Sequence, residues 1–229
     1  MIAAMFLAHL VGDYILQWNH LAAWKSRALK GVIVHCLIVF AVTWLLALPF
    51  DPRWWPGVVF IGVSHFLIDA AQLRLRVFVA PLARFALDQA AHLTVILIAL
   101  AAGGYLDLSQ ITRAFALGLQ SDRLLVYLLG YTFVTMPAWV LIKFVVYGLV
   151  KGAAPEFSDN SKYLGILERL LMTTFIALGQ FLLVPLVPAP RFALEWPQVA
   201  GSDRTPVYIA ELLASVTLAV TIGLLLSLI

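Results

Sequence analysis

Apolar stretches close to the length needed to cross a bilayer recur along all 229 residues of this chain. A transmembrane helix needs about 20 consecutive, mainly apolar residues. Hydrophobic residues make up 63% of the chain and charged residues only 12%, whereas a soluble domain is about 25% charged. The sequence therefore predicts an all-α, polytopic membrane protein whose natural partners are membrane lipids. It excludes a soluble enzyme, a disordered chain and a nucleic-acid-binding protein.

About seven membrane-spanning helices are predicted from the apolar stretches and from the proline and glycine residues between them. They are placed at 2–18, 31–49, 54–72, 84–102, 124–150, 163–186 and 206–228. Pro137 lies inside the fifth span and is expected to kink it. We expect a His/Asp-rich core of four helices at 1–104, a segment at 105–123 with a short helix at the membrane interface, and three further spans at 124–229.

Basic residues concentrate in the first, third and fifth loops, and the positive-inside rule places such loops in the cytoplasm. The basic residues of these loops are Lys25, Arg27 and Lys30, then Arg74, Arg76 and Arg84, then Lys151 and Lys162. We therefore expect the N-terminus outside and the C-terminus in the cytoplasm. The first five residues lack the basic segment of a signal peptide. The sequence leaves the oligomeric state open.

Ionisable side chains inside the predicted spans are the strongest functional signal. An Asp at the centre of a spanning helix costs about 2.5–3.5 kcal/mol on insertion scales, so such residues are functional candidates. Three His–Asp pairs are spaced i, i+4, which places the two residues of each pair on one helix face. They are His9 with Asp13, His65 with Asp69, and Asp88 with His92. His35 joins them, and Gln17 extends the first face by one more turn. At about 1.5 Å per residue these groups lie roughly 5–14 Å below the cytoplasmic surface, which predicts one shared site.

Imidazole and carboxylate groups together bind Zn²⁺, Mn²⁺, Fe²⁺ or Ni²⁺. We expect a divalent metal, Zn²⁺ before Mn²⁺, Fe²⁺ or Ni²⁺, with these predicted ligands: His9, His35, His65, Asp69 and His92. Asp13 and Asp88 are predicted as catalytic carboxylates that take the proton of a metal-bound water or bridge ions. The same groups could hold one ion with supporting partners or two ions. A proton relay and a purely structural polar network are the alternatives.

Supporting roles are expected for five further polar residues: Gln17, Gln89, Lys143, Glu168 and Arg169. Lys143 or Arg169 could hold an anionic group of a substrate such as a phosphate, or Lys143 could pair with Glu168. Cys36 follows His35 but lies about 100° round the helix, so it is interpreted as core packing.

The stretch His9–Gln17, HLVGDYILQ, resembles the H-x-x-G-D-[YF]-x-x-Q block of an uncharacterised bacterial family of multi-pass membrane proteins, domain-of-unknown-function family 3307. The same pattern continues with Lys25, His35, the segment SHFLID at 64–69, the segment DQAAH at 88–92, and GILER at 165–169. The family has a lysine where this chain has Gln72. The resemblance implies a bacterial inner-membrane protein and no assigned activity. The S-H-x-x-x-D motif is also similar to one in bacterial inner-membrane metal-dependent hydrolases.

Three functions are consistent with these residues. The first is an intramembrane metal-dependent hydrolase that acts on a lipid or another amphiphile from the cytoplasmic side. The second is a transporter or channel for a metal ion or protons, and the third is a membrane scaffold subunit whose polar network fixes helix packing. The outer halves of the first four spans are nearly free of ionisable groups, which favours a site open to one side only.

Overall fold

The computed structural model describes residues 1–75, 79–107, 122–155, 157 and 162–229. These residues form ten α-helices and no β-strand, so the all-α prediction is confirmed. The helices are α1 Ile2–Leu10, α2 Asn19–Lys25, α3 Leu29–Ala47, α4 Trp55–Leu75, α5 Pro81–Ala102, α6 Arg123–Phe133, α7 Met136–Val146, α8 Lys162–Ala177, α9 Ala189–Val199 and α10 Thr205–Ser227.

Four helices, α3, α4, α5 and α10, are long and apolar enough to cross a membrane. The pair formed by α6 and α7 with its extension to Lys151 is a fifth candidate, bent by 44°. Large apolar side chains point outward from the spanning helices, and Leu37, Leu67 and Leu87 are each more than half exposed. A soluble protein rarely exposes so much apolar surface. The chain is therefore a membrane-embedded helical protein.

Two of the seven predicted spans are shorter than expected. The first is an apolar helix over Ile2–Ile15, and the backbone at Trp18 is already extended. The sixth, α8, has 16 residues and spans about 24 Å, less than a hydrocarbon core of about 30 Å. Gly179 follows α8 with a φ of +73°, and this left-handed conformation ends a helix.

The predicted kink at Pro137 is confirmed. The break separates Phe133 from Met136, and α7 starts with Pro137 in its first turn. Proline disfavours a helical conformation in the residue before it and removes a hydrogen bond to the preceding turn. The structure does not test the predicted interfacial helix, because most of 105–123 lies outside the described residues. It stays a prediction.

The chain divides into two compact units, Met1–Leu129 and Gly130–Ile229. In the first unit α1, α3, α4 and α5 pack around one another, and α2 packs against α3. At one end of this bundle, here named the far end, an apolar core contains Met5, Trp54, Val58, Ile96 and Leu100. The opposite end carries α2 and is named the α2 end. The polar residues of the unit concentrate there.

Gly31 allows α2 to lie close to α3. A Cβ at this position would lie 2.5 Å from both Lys25 N and Trp24 C, which are backbone atoms that cannot move independently. We predict that Gly31→Ala lowers the free energy of unfolding by about 1–3 kcal/mol through overpacking. The thermal unfolding midpoint in detergent measures the effect.

Gly165→Ala is the matched control for this prediction. A Cβ at Gly165, also inside a helix, would meet only Arg169 Nη1 at 3.4 Å, an ordinary contact. The control should be neutral or gain about 0.5–1 kcal/mol of helix stability. Equal midpoints for the two variants would show that the contact between α2 and α3 is not tight.

Candidate metal centre

Four side-chain atoms from two helices and one turn converge at the α2 end. They are Asp13 Oδ1, His35 Nε2, His65 Nε2 and Asp69 Oδ2, here named the quartet. His35 Nε2 lies 3.0 Å from Asp13 Oδ1, 3.2 Å from His65 Nε2 and 3.5 Å from Asp69 Oδ2. His65 Nε2 lies 3.5 Å from Asp69 Oδ2 and 3.9 Å from Asp13 Oδ1. All four side chains are buried.

Five of the six distances within the quartet are close to the spacing of ligand atoms around a tetrahedral metal, whereas Asp13 and Asp69 belong to separate groups of possible ligands. Zn²⁺ binds imidazole nitrogen at about 2.0–2.1 Å and carboxylate oxygen at about 2.0–2.2 Å, so neighbouring ligand atoms lie roughly 3.3–3.5 Å apart. The five quartet distances run from 3.0 to 3.9 Å. Asp13, His35 and His65 form one group of possible metal ligands, and Cys36, His65 and Asp69 form another.

A local distortion of the first helix positions Asp13. The α-helix α1 gives way to a π turn at Val11–Ile15, a conformation often found at functional sites. Gly12 lies in this turn, and a Cβ there would be 3.1 Å from Val39 Cα. The missing side chain therefore lets the turn approach α3 closely, and it brings Asp13 to His35.

Lys25 is the cation nearest to the quartet among the described residues. Its Nζ lies 2.9 Å from Asp69 Oδ2 and 3.5 Å from Asp13 Oδ1. Burial acts to lower the pKa of Lys25, but the neighbouring Asp13 and Asp69 carboxylates outweigh burial and raise that pKa above its usual value. The sequence placed Lys25 only among the basic loop residues and in the family pattern. Its position in the site depends on how α2 folds back.

Asp88 and His92 lie beside the quartet on α5. His92 Nδ1 lies 2.9 Å from the backbone oxygen of Asp88 and 3.7 Å from Asp88 Oδ1. Gln72 and Gln89 donate hydrogen bonds to the two Asp88 oxygens, at 3.2 and 3.0 Å. The Gln72 side chain thus orients Asp88 without adding charge.

His9 and Gln17 occupy different positions from those predicted. His9 Nε2 donates to Gln89 Oε1 at 3.2 Å, because the Gln89 amide nitrogen faces the carboxylates of Asp13 and Asp88. His9 therefore supports Gln89 rather than joining the quartet. Gln17 lies beyond the π turn, and its buried Oε1 has no hydrogen-bond partner within the described part of the chain. The turn breaks the regular helical spacing that predicted one continuous face.

Cys36 also lies nearer the site than its sequence position indicates. Its Sγ donates to Asp69 Oδ2 at 3.8 Å. Cys36 is buried among the core residues, as the core-packing interpretation predicts, and it also contacts Asp69 because α4 approaches α3. The thiol faces the same carboxylate oxygen as His65.

The polar residues of the second unit pair among themselves. Lys143 Nζ lies 2.8 Å from Glu211 Oε1, and Arg191 makes contacts of 2.9 and 2.8 Å to the two Glu168 oxygens. The predicted pairing of Lys143 with Glu168 is wrong because each has a closer partner. Arg169 donates to the backbone oxygens of Val134 and Thr135 and to Ser215. These donors satisfy the carbonyls freed at the break between α6 and α7.

Access to the quartet is from the α2 end. The Asp88 side chain is 20% exposed and that of Lys25 is 21% exposed, whereas that of His35 is fully buried. Toward the far end, a cavity of about 10 Å³ is lined in part by His9, His65 and His92, and the apolar core lies beyond it. The site in the first unit is thus open on one side and closed by apolar packing on the other.

A comparison with known families finds one match. The family described as "Protein of unknown function (DUF3307)" matches residues 1–116, about half of the chain. All seven His and Asp residues of the predicted site fall within this matched segment. No curated protein and no solved structure matches the chain.

Lys25→Gln tests whether the ammonium holds the two carboxylates together. Removing one partner of a buried ion pair costs about 3–5 kcal/mol, and the exposed side of Lys25 places the expected loss near the lower end. Because the pKa of Lys25 is raised, its stabilisation is complete below the usual lysine pKa of about 10.4 and is lost only as pH rises through the higher folded-state value. The loss should therefore be constant from about pH 6 to pH 9.

The measurement is the unfolding midpoint of metal-free protein in detergent at several pH values. The control is Lys30→Gln, since Lys30 is an exposed lysine on α3 and its removal should cost less than about 0.5 kcal/mol. Equal midpoints for the Lys25 and Lys30 variants would contradict the ion-pair role.

Proposed function

This chain belongs to the DUF3307 family, and we propose that its first unit is an intramembrane metal-dependent hydrolase. The quartet is the metal site, and the bound ion is divalent, with Zn²⁺ favoured. The substrate is a lipid or another amphiphile that reaches the site from the α2 end. The basic loops at this end support a cytoplasmic location for it by the positive-inside rule, and we propose that the N-terminus lies outside and the C-terminus inside.

The observation that carries the metal site is the convergence of the four quartet atoms at metal-ligand spacing. Electrostatics supports it as well. The carboxylates of Asp13, Asp69 and Asp88 face only one ammonium, that of Lys25, among the described residues. With neutral imidazoles the site carries a formal charge of −2. Such a charge is expensive to bury without compensation, and a divalent cation neutralises it.

The hydrolytic step needs a water, a proton acceptor and access for the substrate. A bound metal lowers the pKa of its water to about 7. Asp88 lies outside the quartet, is partly exposed and is oriented by Gln72 and Gln89, so we assign it as the acceptor. Asp88 would take a proton from the attacking water while the water oxygen bonds to the ester carbon or phosphorus. The bond to the leaving oxygen would break, and Asp88 would return the proton to that oxygen.

Transport of the metal through this unit is less well supported. A transporter needs polar access from both sides of its binding site. Here the apolar core formed by residues such as Met5, Val58, Ile96 and Leu100 fills the far end. An ion leaving the quartet in that direction would lose its polar ligands. The geometry therefore favours chemistry at a one-sided site.

The ion pairs of Lys25 favour a second candidate, a structural network with the lysine as its permanent cation. The two functions differ in the effect of Lys25→Gln. If a metal shares Asp13 and Asp69 with the lysine, removing the ammonium strengthens metal binding. If the network is structural, the variant binds no metal. A titration with Zn²⁺ followed by calorimetry separates these outcomes.

Metal content is the direct test of the site. We predict at least one stoichiometric divalent ion in protein purified in mild detergent, and a loss of the quartet ion in His65→Ala, because a ligand atom is removed. Mass spectrometry of the bound metal measures both. His20→Ala is the control, since His20 is exposed on α2. Wild-type protein that stays metal-free after incubation with Zn²⁺ and Mn²⁺ would refute the proposal.

Hydrolysis is tested with vesicles of phosphatidylethanolamine and phosphatidylglycerol in H₂¹⁸O. We predict release of ¹⁸O-labelled product, and a fall of about 10²-fold or more in Asp88→Asn because the proton acceptor is lost. Asp203→Asn, which removes an exposed carboxylate of the second unit, should leave the rate unchanged. Equal rates in the two variants would remove Asp88 from the mechanism. No labelled product from the metal-loaded wild type would refute hydrolysis of these lipids.

A further inference from the structure

We infer that the centre holds two metal ions, with the second bound by Asp69 Oδ1, His92 Nε2 and one oxygen of Asp88. This inference rests on the proposed function and names the ion that activates water. Asp69, Asp88 and His92 each offer a ligand atom, and these atoms lie within 4.8 Å of one another. The Asp69 carboxylate then bridges the two ions.

The first observation is an unpartnered nitrogen on a buried histidine. His92 is 3% exposed, and its Nε2 has no hydrogen-bond partner in the part of the chain that the structure describes. Its Nδ1–H donates to the backbone oxygen of Asp88 at 2.9 Å. This bond fixes the tautomer that leaves a lone pair on Nε2, which is the usual arrangement of a metal-ligating histidine.

The second observation is the direction of the two Asp69 oxygens. Oδ2 is the quartet atom that lies 3.5 Å from both His35 Nε2 and His65 Nε2. Oδ1 lies 3.9 Å from His92 Nε2, too far for a hydrogen bond. The same carboxylate thus turns one oxygen to the quartet and the other to an unpartnered imidazole. In two-metal sites the ions are about 3.5–4 Å apart, a spacing that a carboxylate can bridge.

The number of protein ligands distinguishes the two proposed ion-binding positions. The quartet offers four possible protein ligands, enough to fill a tetrahedral zinc site, whereas catalytic zinc sites have three protein ligands and one open position. The second position has three. It lies beside Asp88, a partly exposed carboxylate. The open position therefore belongs to the second ion, where water binds and where a substrate entering from the α2 end arrives.

Asp88 keeps its role as proton acceptor in this arrangement. One carboxylate oxygen would hold the second ion, and the other would take a proton from the attacking water. The water oxygen would form the new bond to carbon or phosphorus, the bond to the leaving oxygen would break, and Asp88 would return the proton to that oxygen. Gln72 and Gln89, which donate to the two Asp88 oxygens, keep the carboxylate in this orientation.

The test counts metal ions in wild type, His92→Ala and His20→Ala after loading with Zn²⁺ and removal of free metal. We expect two ions per chain in wild type and one in His92→Ala. His20→Ala is the control, because His20 is exposed on α2. It should keep two ions. His92→Asn is measured in parallel in case the alanine variant fails to fold, as judged by its elution volume.

A wild type that binds one ion, with His92→Ala unchanged, overturns the second position and leaves the proposed metal site standing. Two ions in both proteins exclude His92 as a ligand and also overturn the inference. No ion in wild type refutes the metal site itself. Loading with Mn²⁺ gives a readout on the wild type alone, since two bridged Mn²⁺ ions give a coupled electron paramagnetic resonance spectrum. An isolated six-line spectrum at full loading overturns the inference.

Discussion

The burial of carboxylates inside an apolar helical bundle is the constraint on which the α2 end depends. Asp13 and Asp69 lie where water cannot solvate them, so each needs cations or hydrogen-bond donors from the protein. The Asp13 carboxylate contacts His35, Lys25 and Gln89. The Asp69 carboxylate contacts Lys25, His65 and Cys36. These partners come from α2, α3, α4 and α5. Contacts to the carboxylates therefore determine the helix packing at this end, whereas apolar contacts determine it at the far end.

The local backbone is adapted to the same requirement. A π turn places Asp13 away from the position that an uninterrupted α-helix would give it, and Gly12 lets that turn touch α3. Gly31 allows the short helix α2 to fold back along α3, so that Lys25 reaches two carboxylates on other elements. If α2 did not fold back along α3, Lys25 would lie in the lipid headgroup region, away from these carboxylates. The irregular features of the first unit are thus concentrated around the candidate site, as expected where local preferences are overridden for function.

The sequence predicted the parts of the site that depend on regular helical spacing. His65 with Asp69 and Asp88 with His92 lie on uninterrupted helices, so the i, i+4 rule placed each pair on one face and the structure brings the pairs together. Gln17 does not follow the i, i+4 rule, because the π turn rotates every later side chain away from the face that an uninterrupted α-helix would give it. The positions of Lys25 and Cys36 depend on how neighbouring elements approach, which spacing within one helix does not encode. The partner of Glu168 was missed for a related reason, since Arg191 lies on α9, a helix that the sequence analysis did not predict.

The two units use buried charge in different ways, and the difference argues that the chemistry resides in the first. In the second unit the guanidinium of Arg169 donates to two backbone oxygens and to Ser215, Glu168 is held by Arg191, and Lys143 pairs with Glu211. These charges are matched, and Arg169 has an evident structural task at the helix break. At the candidate site of the first unit the carboxylates of Asp13, Asp69 and Asp88 lie near a single lysine among the described residues, Lys25. A fold retains such an imbalance at a cost of several kcal/mol unless something from outside completes it. The family match covers residues 1–116, and all three carboxylates of the candidate site lie within that range.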